Sequence, residues 1–245
     1  MIIDLDKQQI KHLNVLKLFV TKIIKKDYPN FEGDLSLLHR VISKKYLNKL
    51  RLTLFNSINN KLNWEQIVLF LCGDELKKKH GSDLLIQSKI NLSIQIPNDE
   101  TSLLPMHTDC NSADTPFQTN VWIPLTNCFK TNSMFLLNEN TSRQIMQKIL
   151  RNKKIKNIPE TKIDKNLIKL NYGQILLFNP ALMHGNKVNK TKKTRISLNV
   201  RIKSLFAPEP GERNPDRKLG SYYKILELSK DTKYGIDLIK KGFFN

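Results

Sequence analysis

The sequence predicts an α+β fold, with a double-stranded β-helix (jelly-roll) core on which N-terminal helices pack. Over about the first 80 residues, apolar side chains recur at three- and four-residue intervals, the period of an amphipathic helix. From about residue 88 to 204 the period changes to two, as in strands with one buried face. Roughly eight short strands fit this stretch, which suits an antiparallel double-sheet jelly roll.

Three helices are expected in the N-terminal part. The first carries the apolar stripe over residues 10–24 and is closed by Pro29. Asp34 is a candidate N-cap for the second, whose stripe changes register part-way along. The third should be short, covering residues 64–71 and stopping at Gly73.

The remaining elements follow from alternation and turn residues. A strand is expected over 88–96, ended by Pro97, and a helix near 142–152. A basic loop is predicted over 153–169, a turn-rich connector over 206–218, and a helix over 222–229 followed by another short one. The other predicted strands are 120–125, 134–137, 174–178, 184–188 and 194–203.

This order predicts a single domain. Its mainly helical N-terminal part would span 1–86, the jelly-roll core 87–205, and the C-terminal connector and helix 206–245.

The basic charge does not indicate a nucleic-acid partner. The formal net charge is +19, but 33 of the 41 basic residues are Lys and they are spread along the chain. No helix-turn-helix, zinc-finger or RNP-like pattern accompanies them. An anionic small substrate or a solvated surface explains the charge as well.

Location and redox state follow from the first residues and the cysteines. The opening MIIDLDKQQIKHLN carries acids and no apolar signal core, and no apolar run approaches a membrane span, so we expect a cytoplasmic protein. Cys72, Cys110 and Cys128 have no zinc-binding spacing and are expected to be free thiols.

A metal site is predicted around the segment PMHTD. On a strand, His107 and Asp109 would lie on one face and reach the same ion. His-x-Asp alone is common by chance, but His184 supplies a third ligand. Two histidines and one carboxylate leave three coordination positions open for a bidentate cosubstrate and O2. The other three histidines lie in the helical part and are expected to be structural.

An anion-binding strand is predicted eleven residues after His184. Over 194–203 polar and apolar residues alternate, and Arg195 and Ser197 share the polar face. Such a strand is either half-exposed to water or lines a cavity. A buried carboxylate, such as the far one of 2-oxoglutarate, needs a fixed cation, and the planar guanidinium suits it. Arg195 and Ser197 are therefore the candidate cosubstrate receptors.

Three stretches resemble a known family: PMHTD (105–109), PFQTNVWIPLTNCFKTNSMFLL (116–137) and HGNKVNKTKKTRISLNVRIKSLFAPE (184–209). They are similar to the 2-oxoglutarate/iron(II) dioxygenase superfamily, in its phytanoyl-CoA dioxygenase-like branch, and more narrowly to the sporadic carbohydrate-cluster oxygenases. The resemblance implies a distorted jelly roll that binds Fe(II), 2-oxoglutarate and O2 and releases succinate and CO2. Because Asp109 is retained, halogenation is not expected.

Further site residues are expected on neighbouring strands. Gln95, Asn120 and Ser133 are candidates for holding the near carboxylate of 2-oxoglutarate, or else ordinary strand residues. Trp122 is expected in the core. A sugar-like or anionic substrate would meet residues beside the ligands, which could instead orient the ligands. These candidate substrate residues are Asn186, Asn199 and Arg201.

The sequence leaves three functions open. The first is hydroxylation of a sugar or a carbohydrate-biosynthesis intermediate, and the second is hydroxylation of an amino acid or other small metabolite. The third is a non-catalytic, cupin-like sugar-binding protein, which a complete metal triad and an Arg-x-Ser pair argue against. Oligomeric state and the position oxidised are not predicted.

Overall fold

The computed structural model describes residues 1–112, 114–151, 163–208 and 216–243. Parts of the predicted basic loop (153–169), connector (206–218) and last turn of the 142–152 helix lie outside these described residues. None of the helices within the described residues is both long enough and apolar enough to cross a membrane.

The N-terminal part forms helices, largely as the three- and four-residue spacing of its apolar side chains predicts. Helix α1 spans Lys7–Asp27, and the side chain of Asp6 accepts hydrogen bonds from the backbone N–H groups of its first turn. Asp34 caps a short 3₁₀ helix, Leu35–Arg40, and α2 then runs over Lys44–Lys61. The predicted shift in register is thus a break between two helices, with each stripe facing the same core.

The third helix is longer than predicted. Helix α3 spans Trp64–His80 and is kinked at Cys72, whose φ of −150° is not helical. The helix continues beyond Gly73 because Leu76 is fully buried on the next turn. Gly81, with φ of +82°, ends it, and its N–H donates to Lys77 O at 2.9 Å.

Among the described residues, nine strands form two antiparallel sheets. The larger sheet has the order β1-β6-β4-β8-β2-β9, with β3 also paired to β8, and the smaller sheet is β5-β7. The strands are β1 Ile2–Asp4, β2 Leu84–Gln87, β3 Asn91–Gln95, β4 Gln118–Pro124, β5 Met134–Leu136, β6 Gln174–Phe178, β7 His184–Asn186, β8 Arg195–Ser204 and β9 Tyr223–Glu227.

The predicted helix over 222–229 is wrong, because these residues form β9 at the sheet edge, paired to β2. Burial does not alternate along YKILE, since Tyr223 is buried and Ile225, on the same face of the strand, is exposed. The strand is therefore defined by its pairing to β2 and not by a period of two. The later helices include α4 at Glu139–Leu150 and α5 at Lys230–Lys240.

Three apolar clusters of described residues define the layers. The largest joins α1, α2 and α3 to one face of the large sheet, including Ile196, Leu198, Val200 and Ile202 of β8. A second, around Trp122 and Phe178, lies on the opposite face, and a third joins β5 to α4. Because side chains alternate along β8, its polar residues face the space between the two sheets.

The predicted fold class is confirmed as helices packed on an antiparallel sheet. The strands among the described residues do not close into a barrel.

Candidate metal centre

His107 and His184 face each other across an antiparallel bridge at the edge of β7. Each backbone N–H donates to the other's carbonyl at 2.9 Å, and the ring centroids are 4.3 Å apart. The Nδ1 of each ring lies 2.8 Å from a carbonyl oxygen two residues earlier, Pro105 O or Leu182 O. A carbonyl only accepts, so Nδ1 carries the proton and Nε2 keeps a free lone pair.

Asp109 completes the group, although not from a strand. It opens a 3₁₀ helix, Asp109–Ser112, and its Oδ1 lies 3.7 Å from His107 Nε2 and 3.9 Å from His184 Nε2. The three ligand atoms lie within 4.8 Å of one another. The expected strand geometry at 107–109 is wrong, but the turn still brings imidazole and carboxylate together, as a shared ion requires.

Charges and hydrogen bonds hold Asp109 ionised. Burial alone would raise its pKa, but His107, Arg201, His184 and the amide of Asn120 together lower the pKa well below its usual range. Conversely, the nearby carboxylate of Asp109 raises the pKa of His107. Burial lowers the pKa of His184, which favours the neutral, metal-binding form.

Arg201 connects Asp109 to a second carboxylate. Its Nη2 lies 3.1 Å from Asp109 Oδ1, its Nε lies 2.6 Å from Asp114 Oδ2, and its Nη1 donates to Gln87 at 3.2 Å. Arg217 also pairs with Asp114. Arg201 is predicted from the sequence only as a substrate or orienting residue. Its partners are not predicted: Asp109 and Asp114 precede β4, and Gln87 lies on β2.

A cavity of about 390 Å³ extends from the histidines over the polar face of β8. Arg195 lines it and is 3% exposed, and burial lowers its pKa. Its Nη2 donates to Ser93 Oγ at 3.0 Å, and its guanidinium carbon lies 5.8 Å from the Trp122 ring. Its Nε and Nη1 and the hydroxyl of Ser197 are buried without a partner among the described residues. Such a buried, unpaired cation indicates an anion-binding position.

The other predicted cosubstrate residues lie elsewhere. Gln95 donates to Lys187 O, Ser133 is buried, and neither lines the cavity. Asn120 donates to Asp109 Oδ2. Ser93 was not predicted as a site residue. It lies directly opposite Ser197 on the paired strand, and its place on the polar face of an alternating strand is the signal that could have identified it.

Of the predicted substrate residues, Asn199 and Arg201 line the cavity. Asn186 also borders it, but its Nδ2 donates to Ser102 O at 2.9 Å and its Oδ1 accepts from Leu104 N at 2.7 Å. Its amide therefore anchors the loop before His107.

Gly185 allows this loop to approach the metal centre. A Cβ at this position would lie 2.7 Å from Leu104 O and 2.9 Å from Phe135 Cζ, both too close. Glycine is thus required beside His184 by the approach of a neighbouring backbone.

Comparison with solved structures identifies the fold. The non-haem monooxygenase ThoJ aligns with a TM-score of 0.51 as its nickel complex, at 14% identity over 93% of this chain and 80% of ThoJ. Its apo form aligns with a TM-score of 0.52, at 13% identity over 94% and 81%. The chain has the fold of a non-haem oxygenase. The resemblance drawn from the sequence is confirmed at this level.

Sequence comparison adds one relative. The streptomycin biosynthesis protein StrG of Streptomyces griseus is 25% identical over 126 residues, which cover 49% of this chain and 50% of StrG. The match thus spans about half the length of that relative. No family model matches the chain.

Proposed function

We propose that the protein is a non-haem Fe(II)- and 2-oxoglutarate-dependent oxygenase. His107, Asp109 and His184 would bind the iron, and Arg195 would receive the far carboxylate of 2-oxoglutarate. The observation that carries the proposal is the buried, unpaired guanidinium of Arg195 in the same cavity as the three ligands. The fold shared with ThoJ, a non-haem monooxygenase, supports it.

The residues present fit an iron ion. Two imidazole nitrogens and one carboxylate oxygen form the donor set of non-haem Fe(II) oxygenases, and both Nε2 atoms are free to bind. When bound, Fe(II) would supply O2 activation coupled to decarboxylation of 2-oxoglutarate to succinate. We extend the proposal to the fold: the large and small sheets would be the two halves of a distorted double-stranded β-helix.

The cavity residues would bind the cosubstrate and exclude water. The guanidinium of Arg195 and the hydroxyl of Ser197 can donate to one carboxylate, and each charge-assisted bond contributes about 1.5–3 kcal/mol. Trp122, Met134 and Phe178 supply apolar walls that keep this carboxylate dry. A low local dielectric strengthens its attraction to Arg195.

The substrate would be a small, hydroxylated molecule such as a sugar or a carbohydrate-biosynthesis intermediate, and the reaction hydroxylation. Two observations support this class: the cavity carries the amides of Asn91 and Asn199, and the relative StrG is named for streptomycin biosynthesis. An amino acid or other small metabolite is the alternative on the same scaffold.

Succinate formation tests the proposal. With Fe(II), ascorbate and 2-oxoglutarate, the protein should release succinate slowly alone and faster with its substrate, which a screen of sugars and sugar nucleotides would identify. Asp109→Ala should abolish release because the ion loses a ligand, whereas Asp231→Ala, at an exposed position in α5, should not change it. Absence of succinate from the native protein would refute the oxygenase, and full turnover by Asp109→Ala would remove Asp109 from the metal.

A further inference from the structure

The two carboxylate oxygens of Asp109 have different surroundings. Oδ1 is the oxygen near both imidazoles, 3.7 Å from His107 Nε2 and 3.9 Å from His184 Nε2. Oδ2 accepts a hydrogen bond from the amide of Asn120. One oxygen is thus presented to the ion while a neutral donor holds the other.

From this asymmetry we propose that Asn120 and Arg201 are positioning residues that make Asp109 a one-oxygen ligand. The inference rests on the proposed function, because it concerns how many coordination positions remain for 2-oxoglutarate and O2. If Oδ2 turned to the ion as well, the carboxylate would occupy a second position and only two would stay open.

Asn120 is built into the sheet so that it cannot follow such a turn. It lies on β4, paired to Arg201 of β8 on one side and to Phe178 of β6 on the other, and it is fully buried. Moving Oδ2 to the ion would leave the Asn120 Nδ2 without its acceptor in a buried place, which is unfavourable.

Arg201 fixes the other half of the carboxylate. Its Nη2 contacts Oδ1 at 3.1 Å, and its remaining nitrogens are held by Asp114 and Gln87. Asp114 is itself 3% exposed and is held from the other side by Arg217. Two ion pairs and one hydrogen bond restrain this guanidinium, so the carboxylate plane is set by groups that would not touch the ion.

Asn120→Leu tests the proposal, since leucine keeps most of the volume and removes the donor. Fe(II) and 2-oxoglutarate affinities are measured anaerobically, together with the visible charge-transfer band that forms when 2-oxoglutarate chelates Fe(II). We expect Fe(II) to bind as tightly as before or more tightly, because both oxygens can then chelate it. The 2-oxoglutarate Kd should rise about tenfold or more and the band should weaken.

Asn132→Leu is the matched control. Asn132 is also a fully buried asparagine whose side chain makes hydrogen bonds, but it does not contact Asp109. The variant should lower stability and leave both affinities unchanged. If Asn120→Leu weakens Fe(II) and 2-oxoglutarate binding together, or weakens neither, the proposal is overturned. Either result is what we expect if Asn120 only packs in the core.

A second pair of variants covers the case in which Asn120→Leu does not fold. Arg201→Gln should weaken 2-oxoglutarate binding about tenfold without weakening Fe(II) binding, and Arg201→Lys, which keeps the charge, should lie closer to the native value. Equal affinities in all three proteins, or parallel losses of Fe(II), would contradict the proposed clamp.

The experiment separates this proposal from the proposed function. If the native protein binds Fe(II) and forms no charge-transfer band with 2-oxoglutarate, the oxygenase assignment fails. Co(II) absorption then tests the clamp alone: a spectrum altered by Asn120→Leu supports one-oxygen binding in the native protein, and an unchanged spectrum overturns it.

Discussion

At the scale of single residues, Arg195 is where stability and binding oppose each other. A guanidinium that is 3% exposed and has no carboxylate partner among the described residues opposes folding, because its lost hydration is not compensated. The same lost hydration makes it a strong receptor for an arriving carboxylate. Ser93, Ser197 and Trp122 leave one side of it open to the cavity.

Arg195→Met should therefore have opposite effects on two measurements. The 2-oxoglutarate Kd of the metal-loaded protein should rise about tenfold to a hundredfold, because one or two charge-assisted bonds of about 1.5–3 kcal/mol are lost. The melting temperature of the ligand-free protein should not fall, and metal affinity should not change. Calorimetric titration and thermal unfolding give these values. Arg143→Gln, an exposed arginine in α4, is the control, and equal cosubstrate affinity in Arg195→Met would mean that the anion binds elsewhere.

Some site residues can be inferred from the sequence because their signal is local. His107 and Asp109 are two apart, and the alternation over β8 places Arg195 and Ser197 on one face. Asn120 shows the limit, since it resembles any polar strand residue until the loop carrying Asp109 folds over it. Its partner is decided by tertiary contact, which the period does not encode.

At the scale of elements, the alternating stretches were predicted well, and two very short strands within or next to the predicted helical part were not. β6 has the predicted bounds because its five residues, one polar and four apolar, are flanked by clear turn signals. β1 and β2 were missed, since three or four residues cannot establish a period of two against a helical background. Their strand identity comes from pairing: β1 lies beside β6, and β2 between β8 and β9.

The end of α3 carries a titratable contact. His80 Nε2 lies 2.8 Å from the hydroxyl of Thr119 on β4, and burial lowers the pKa of His80 from 6.5 to about 4. Since the folded pKa is below the unfolded one, the unfolded chain binds the proton more readily. Stability from neutral His80 is present above about pH 6.5 and is lost as the pH falls toward 4.

His80→Gln should flatten this dependence, because glutamine does not titrate and can still bond to Thr119. Urea unfolding at pH 7 and pH 4.5 should show a larger loss of unfolding free energy for the native protein than for the variant. Because His80 is only partly buried, solvent screening limits the difference to about 1–2 kcal/mol. Equal losses in both proteins would show that His80 does not link pH to stability.

At the scale of the whole molecule, one core joins the helices to the large sheet. The sequence predicts a single domain that is helical over 1–86 and a jelly roll over 87–205, and unfolding experiments can test this prediction. The cytoplasmic location also remains a prediction. The two tryptophans are suited to this, since Trp64 lies in α3 and Trp122 lies beside the candidate site.

Single-tryptophan proteins, made with Trp64→Phe or Trp122→Phe, provide the probes, and Leu54→Ala added to each one provides the perturbation. Leu54 is fully buried in α2, and its truncation should cost about 2–5 kcal/mol. If the helices and sheet unfold together, the loss on adding Leu54→Ala should be the same by both fluorescence probes. A loss seen by Trp64 alone would divide the chain into two cooperative units.

The antiparallel bridge between His107 and His184 bears on the order of assembly. A slip of one position in that pairing would turn one imidazole to the far side of its strand, and the ion would lose a ligand. Chelation can thus succeed only after segments far apart in the chain have met in the correct alignment. Metal capture would come late in folding, and a nascent chain could not trap iron in a misaligned sheet.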